Sequence, residues 1–259
     1  KRNAGPVYTV VEKILGRDEK LAGGWHVWGT TGYEFLNALN DLYVEPRGLA
    51  EMEERYGAFT GRRQAFADLC RERNKQVIQK MFSGDAISLG YELARLAAHD
   101  REARDVPVTD LTKSLMEVTA CLPVYRTYVT AEGADAQARE RISRACQEAR
   151  RLWSEAELST PALEFVERVL TGEPSEYSSD LRPQYLEFAM RWQQFTAPVM
   201  AKGMEDTAFY VDNTLISRNE VGGDPLREKP PRTLKEFHGL MRERQARWPH
   251  SMNATSTHD

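Results

Sequence analysis

Val7-Tyr8-Thr9-Val10-Val11-Glu12 lies near one end of the chain, and Ser251-Met252-Asn253-Ala254-Thr255-Ser256-Thr257-His258-Asp259 lies at the other. Both runs are rich in β-branched or small residues and show no helical period, so each reads as an extended segment. Each also stops at an acid, Glu12 or Asp259. In a β/α barrel the strand ends on one face carry the chemistry, which makes these two carboxylates the leading candidates for a catalytic set. Two strand-end acids separated by almost the whole chain predict an arc of a larger barrel.

Between these ends the pattern is mostly helical. After the buried strand expected over residues 7–15 comes a glycine- and tryptophan-rich loop, Gly23-Gly24-Trp25-His26-Val27-Trp28-Gly29-Thr30-Thr31-Gly32. Tyr33, Phe35-Leu36, Leu39 and Leu42-Tyr43 then recur at helical spacing, with Thr30 or Thr31 as the N-cap and Pro46 as the stop. Apolar stripes through Leu69, Val77-Ile78, Leu89, Leu93 and Leu96 predict helix after helix from about 49 to 121. Leu122-Pro123-Val124-Tyr125-Arg126-Thr127-Tyr128-Val129 alternates and reads as another barrel-type strand, with Pro123 tolerated at its start. Helices follow over 134–172 and from Pro183 to Met200, then an irregular stretch to 232. Thr233 caps a last helix to Arg247, and 251–257 is the final strand. The expected fold class is therefore mostly α with a few parallel strands, an arc of a TIM (β/α)8 barrel interrupted by large helical insertions.

Composition narrows the functional classes. The chain has 259 residues, of which 41% are hydrophobic and 29% charged, the mix of an ordinary soluble protein. Its net charge of -4, with acids and bases interspersed, offers no basic face for nucleic acid. No apolar run is long enough to span a bilayer. Cys70, Cys121 and Cys146 lack metal-ligand spacing and cannot all pair with one another, which favours a reduced, cytosolic compartment. Lys1-Arg2-Asn3-Ala4-Gly5-Pro6 carries no apolar signal region, and the halt just after a histidine gives the expectation of a chain cut from a longer one. Gly-x-Ser-x-Gly, His-Glu-x-x-His and Gly-x-Gly-x-x-Gly are all absent, leaving serine hydrolases, zinc proteases and dinucleotide folds without support.

Several groups could carry chemistry. Glu12 would serve as a general acid with a raised pKa if Trp25 and Trp28 desolvated it, or else be a surface acid paired with Lys13. His258 and Asp259 could together hydrogen-bond adjacent hydroxyls of a sugar, or simply form a turn. The loop from Trp25 to Tyr33 offers flat apolar faces plus the hydroxyls of Thr30, Thr31 and Tyr33, or packs locally against the next helix. Lys202, Glu205 and Asp206 crowd around Gly203, where they could orient ligand hydroxyls or form a solvated ion-pair cluster. Asn219-Glu220 and Gly222-Gly223-Asp224 form a polar loop that a ligand could order.

Taken together, Val10-Val11-Glu12-Lys13-Ile14-Leu15, Gly29-Thr30-Thr31-Gly32-Tyr33, Leu122-Pro123-Val124-Tyr125-Arg126-Thr127-Tyr128, Lys202-Gly203-Met204-Glu205-Asp206-Thr207-Ala208-Phe209-Tyr210 and Ala254-Thr255-Ser256-Thr257-His258-Asp259 resemble the maltooligosyltrehalose synthase family, within the α-amylase clan of glycosidase barrels. The resemblance runs in order along nearly the whole chain. It implies barrel strand five and a substrate loop over 1–45, a helical insertion over 46–121, strand six over 122–130, a second insertion over 131–200, and substrate loops, a helix and strand seven over 201–259. Glu12 matches the family's general acid/base, Asp259 its third carboxylate and His258 the neighbouring sugar-binding histidine. The motif residues Lys13, Trp28, Thr30, Thr31, Tyr33, Tyr125, Arg126, Lys202, Glu205 and Asp206 are implied substrate contacts, and the nucleophilic Asp is implied upstream of Lys1. Val211-Asp212-Asn213 departs from the family's arginine and aromatic, and Asn253 is atypical.

The implied reaction turns the reducing-end α-1,4 linkage of a maltooligosaccharide into an α,α-1,1 linkage by intramolecular transfer with retention, without cofactor or metal. Plain α-glucan hydrolysis and a non-catalytic helical interaction module stand as the alternatives.

Overall fold

The computed structural model describes residues 7–152 and 159–257. Among them lie nine α-helices: α1 (Tyr33–Asp41), α2 (Pro46–Thr60), α3 (Phe66–Lys80), α4 (Ser83–Ala97), α5 (Val108–Ala120), α6 (Ala136–Arg151), α7 (Thr160–Thr171), α8 (Arg182–Met200) and α9 (Leu234–Arg247). A π-helical turn over Ala201–Glu205 extends α8. The chain divides into two compact units, one made of Lys1–Phe66 with Phe209–Asp259, the other of Ala67–Ala208.

Local chemistry sets most helix ends. Pro46 does not stop α1 but opens α2, where its missing N–H costs nothing, and the Glu45 side chain accepts from the Gly48 N–H at 2.6 Å. Asp135 caps α6 by accepting from Ala138 N–H at 2.7 Å. Thr233 and Glu236 form a reciprocal capping box at the start of α9. α1 is the exception: its N-cap is Gly32 at φ 95°, not either threonine.

The second unit is a helical bundle around an apolar core. α8 projects Tyr185, Phe188, Ala189, Trp192, Phe195 and Val199 at three- and four-residue spacing, all buried in one cluster with α4, α5, α6 and α7. Trp192 satisfies its indole N–H on Thr119 Oγ1 at 2.9 Å, so its bulk is buried without an orphaned donor. α4 and α5 approach closely at Gly90, where a Cβ would collide with the Thr112 hydroxyl. Asp100, fully buried, accepts from Tyr185 Oη at 3.0 Å, from Arg168 at 3.2 Å and from the Glu102 and Ala103 N–H groups. Burial pushes its carboxyl up, but the bonds from Glu102, Ser178 and Tyr185 with the Arg168 charge outweigh it and hold it below the usual range.

No strand forms among the described residues, so the expected barrel arc with its few parallel strands is not there. Residues 9–11 do run parallel to 28–31: Trp28 N–H bonds Thr9 O at 2.7 Å, Val11 N–H bonds Gly29 O at 3.0 Å and Thr31 N–H bonds Val11 O at 3.1 Å. That amounts to one bridge, Val11 with Thr30. Gly29 at φ 139° and Gly32 at φ 95° end the extended course of the middle segment, and Val7 and Tyr8 are left exposed. Met252 N–H adds a single bond to Thr30 O at 3.0 Å, so residues 28–31 lie between the other two segments.

The alternating run 122–129 fails as a strand for a different reason. Tyr128 turns into the left-handed region at φ 63°, and helix α8 takes the place of a neighbouring strand. The Gln193 carboxamide accepts from Val129 N–H at 2.7 Å and donates to Val129 O at 2.9 Å, while Thr196 Oγ1 donates to Tyr125 O at 2.7 Å. Burial does not keep to the alternation: Leu122, Pro123 and Val124 are buried in succession, as are Thr127 and Val129, while Tyr125, Arg126 and Tyr128 are half-buried.

Candidate functional site

In the first unit, the pairing of 9–11 with 28–31 leaves Glu12 at the end of one segment and starts α1 at Tyr33 beside it. Tyr33 Oη donates to Glu12 Oε1 at 3.5 Å, the outer limit of a hydrogen bond, and the Glu12 carboxyl is open to solvent. The enclosure expected from Trp25 and Trp28 is not present among the described residues. Trp28 packs edge-on against His250 at 4.9 Å between ring centres and donates to Val7 O at 3.2 Å. Lys13 turns inward, buried, and pairs with Glu19 at 2.7 Å.

Behind Glu12 the Gly29-Thr30-Thr31-Gly32 turn is clasped by residues 251–254. A Cβ on Gly32 would collide with the Met252 carbonyl and lie 2.7 Å from Ala254 N, and one on Gly29 would lie 2.5 Å from Ser251 Cβ. Thr30 is buried; its Oγ1 donates to Glu34 Oε1 at 2.7 Å and meets Ser251 Oγ at 3.2 Å. Glu34 is ion-paired with Arg244, which also donates to Met252 O and Asn253 Oδ1, both at 2.8 Å. The Thr31 hydroxyl is buried with no hydrogen-bond partner among the described residues. The sequence marks the threonines, but gives no sign of Glu34, Arg244 and Ser251, which hold the turn. Thr257 donates to Glu220, tying the end of this segment to the polar loop expected around 219–224.

The remaining candidates lie in the second unit. Tyr125 Oη donates to Glu205, which is buried at the π-helical turn, and Lys202 pairs with Asp206 one turn apart. Such turns often sit at functional positions. Gly203 makes this turn possible, since a Cβ there would collide with the Asn74 side chain and stand 2.9 Å from its backbone. Arg126 donates to Gln194 Oε1 at 3.1 Å and lies 5.2 Å over the Tyr128 ring. Two sets are thus assembled, Glu12 with Tyr33 in one unit and Tyr125 with Glu205 in the other. The sequence candidates His258 and Asp259 lie outside the described residues.

Among the described residues no group of His, Cys, Asp and Glu could hold a metal ion, and no helix is long and apolar enough to cross a membrane. The cysteines serve packing: burial, with Glu117 adding, pushes the Cys121 thiol up to about 12, and burial raises Cys146 as well.

No family model matches the chain. Two curated proteins from Mycobacterium tuberculosis strains CDC 1551 / Oshkosh and ATCC 25618 / H37Rv, both provisionally named maltooligosyl trehalose synthase, are 26% identical over 258 residues. The alignment takes in 98% of this chain and 30% of each relative. The solved maltooligosyltrehalose synthase from Arthrobacter ramosus superposes with a TM-score of 0.77 at 30% identity, covering 96% of this chain and 29% of that one. A Sulfolobus tokodaii structure titled hypothetical maltooligosyl trehalose synthase gives 0.66 at 28% identity, over 97% of this chain and 28% of that one. The chain therefore spans about three tenths of the length of the relatives it matches. The resemblance drawn from its motifs holds: over nearly its whole length this chain is similar, in sequence and in fold, to one stretch of the maltooligosyltrehalose synthases.

Proposed function

We propose that this chain supplies the general acid/base and part of the sugar-binding surface for intramolecular transglucosylation, converting the reducing-end α-1,4 linkage of a maltooligosaccharide to an α,α-1,1 linkage. The observation that carries this reading is Glu12 with the Tyr33 hydroxyl at 3.5 Å, set in a chain similar throughout to synthases of that name. Glu12 protonates the oxygen of the departing glucose as a carboxylate nucleophile, assigned to no residue of this chain, attacks the anomeric carbon. Retaining enzymes of this kind place the two carboxyls about 5–5.5 Å apart. The departing glucose then turns within the site, and Glu12, now the base, takes the proton from its anomeric hydroxyl as that oxygen attacks the anomeric carbon of the glycosyl–carboxylate ester and displaces the carboxylate.

Tyr33 steadies the carboxyl in both roles, and Asp259 with His258 would grip the sugar hydroxyls. Lys13, Trp28, Thr30 and Thr31 belong to the same reading as neighbours of Glu12, with Thr30 acting through Glu34. In the second unit, Tyr125, Arg126, Lys202, Glu205 and Asp206 are the proposed sugar-hydroxyl partners.

Water competes with the returning glucose. Hydrolysis of the same linkage is the second reading, favoured by the solvent exposure of Glu12.

The protein expressed from its complete reading frame, incubated with maltopentaose, tests both readings. Glu12→Gln should lower kcat by about 10²–10⁴, the usual share of general acid–base catalysis, with the helical circular dichroism unchanged. Residual activity within tenfold of the parent would end the assignment. Tyr33→Ala and Trp28→Ala should raise free glucose relative to the trehalose-ended product. A parent that releases only glucose would establish hydrolysis instead.

A further inference from the structure

A recess of about 430 Å³ opens in the first unit between α1, α9, the 15–21 loop and the 217–224 loop. Its size falls within the range of small-molecule sites. Glu12 is not among its lining residues, although Thr30 and Glu34 of the neighbouring turn are.

The charges lining it do not balance. Arg17 and Arg232, 13% and 15% exposed, share the single carboxylate of Asp41 at 4.0 and 3.2 Å. Lys20 and Arg247 likewise share Glu243, at 3.0 and 3.6 Å. Arg218 lines the recess with no carboxylate at ion-pair distance among the described residues. The other lining acids are committed: Glu34 to Arg244, Glu19 to Lys13 and Asp18 to Lys229. Asp224 alone lacks a cation partner among the described residues, and its Oδ1 accepts from the Leu226 N–H at 3.0 Å. The remainder is an excess of guanidinium over carboxylate; screening by water is reduced around Arg17, Arg232 and Asp41, which are enclosed, whereas Lys20, Glu243 and Arg247 stand at the solvent edge.

Burial pushes the Arg232 guanidinium down, and the adjacent Arg17 charge pushes it further. A like-charged pair sharing one counter-ion gains from a second anion. Guanidinium groups also suit the planar, forked geometry of phosphate and carboxylate oxygens. We infer that this recess binds a small dianionic oxyanion of the phosphate class, gripped by Arg17, Arg232 and Arg218.

Calorimetry on the protein expressed from its complete reading frame, at low ionic strength, tests this, with inorganic phosphate, a hexose 6-phosphate and the unphosphorylated hexose as probes. Saturable binding of the phosphate-bearing probes and none of the neutral hexose is expected. Arg218→Gln should weaken it about tenfold, the scale of one lost charge-assisted hydrogen bond. Asp41→Asn, which removes the competing carboxylate, should tighten it, whereas Glu12→Gln should leave it unchanged. A hexose phosphate binding more tightly than phosphate would assign the ligand to a phosphorylated sugar, and equal affinities to the free oxyanion. Absence of saturable binding on folded protein, or an Arg218→Gln variant that binds as the parent does, would overturn the proposal. Arg218 is half-buried in a single-turn helix (Ile216–Arg218) that has no buried residue, so that variant serves even if changes at Asp41 impair folding.

Discussion

The two units of this chain are held together by different means. Residues 67–208 bury a continuous apolar cluster, with Trp192, Tyr185 and Phe165 each fully enclosed, and at its edge buried polar groups such as Asp100 with Tyr185 and Arg168 bond to one another. Residues 7–66 and 209–257 bury far less: Leu21, Leu36, Phe209 and Val221 are enclosed, but α2 buries only Gly57 and α9 buries no side chain at all. What holds that unit is backbone threaded against backbone at Gly29 and Gly32, together with ion pairs such as Glu34 with Arg244 and Asp212 with Arg227. Both the exposed acid Glu12 and the charged recess belong to this sparsely packed unit, where polar groups remain available for ligands. The dense unit commits Asp100, Tyr185 and Gln193 to its own fold, while its proposed sugar partners gather at residues 125–126 and 202–206.

The sharpest break of this contrast is a large-to-small change in the dense unit. Trp192→Ala removes the largest fully buried side chain and the indole bond to Thr119 Oγ1, and should cost about 3–5 kcal/mol in urea unfolding. A loss below about 1 kcal/mol would mean that the α8 core is not what stabilises this unit. The corresponding break in the sparse unit is Gly32→Ala. Left-handed strain of about 1–2 kcal/mol adds to the cost of pushing a methyl group against the Met252 carbonyl, so about 2–4 kcal/mol is expected. Hydrogen exchange should show protection lost at the Thr31 and Met252 amides, whose bonds to Val11 and Thr30 depend on that turn.

How far the sequence disclosed this division follows from the range of the signals. The long helix through Trp192 and the capped helix after Thr233 were legible within two or three residues, because a 3.6-residue stripe and a capping box are local facts. The strands were not. Alternation over 122–129 reports a half-buried segment without saying what covers it, and the covering group, the Gln193 carboxamide, lies 64 residues away from Val129. The glycines of Gly29-Thr30-Thr31-Gly32 were plain to see, but their purpose depends on residues 251–254 crossing them, which no local pattern states. Glu12 stands out in the sequence as the acid that ends an extended run, and that run makes one bridge, Val11 with Thr30.

A polar test of the dense unit comes next in size. Because the Asp100 carboxyl is held below its ordinary value in the folded state, its contribution is fully present above the unfolded value near 3.8 and is lost as pH falls through the lower folded value. The parent should therefore lose stability progressively below about pH 4, and Asp100→Asn should flatten that part of the profile. The same variant should cost about 1.5–3 kcal/mol at neutral pH, the worth of hydrogen bonds to a charged group. An acid limb unchanged in Asp100→Asn would show that other carboxylates set it.

The smallest effect tests whether helix ends matter where packing is thin. α9 buries no side chain, so its capping box is one of the few identifiable local sources of its stability. Thr233→Ala deletes the acceptor for the Glu236 N–H and leaves the Glu236 carboxylate bonded only to the backbone at 233. About 1 kcal/mol is the ordinary loss for such a cap. If the sparse unit depends on local interactions as its geometry indicates, that loss should appear as faster amide exchange in the first turn of α9. It should then spread to Arg244, whose contacts with Glu34, Met252 and Asn253 require the helix to hold its course. Unaltered exchange along the whole helix would place the stability of α9 in its ion pairs rather than in its cap.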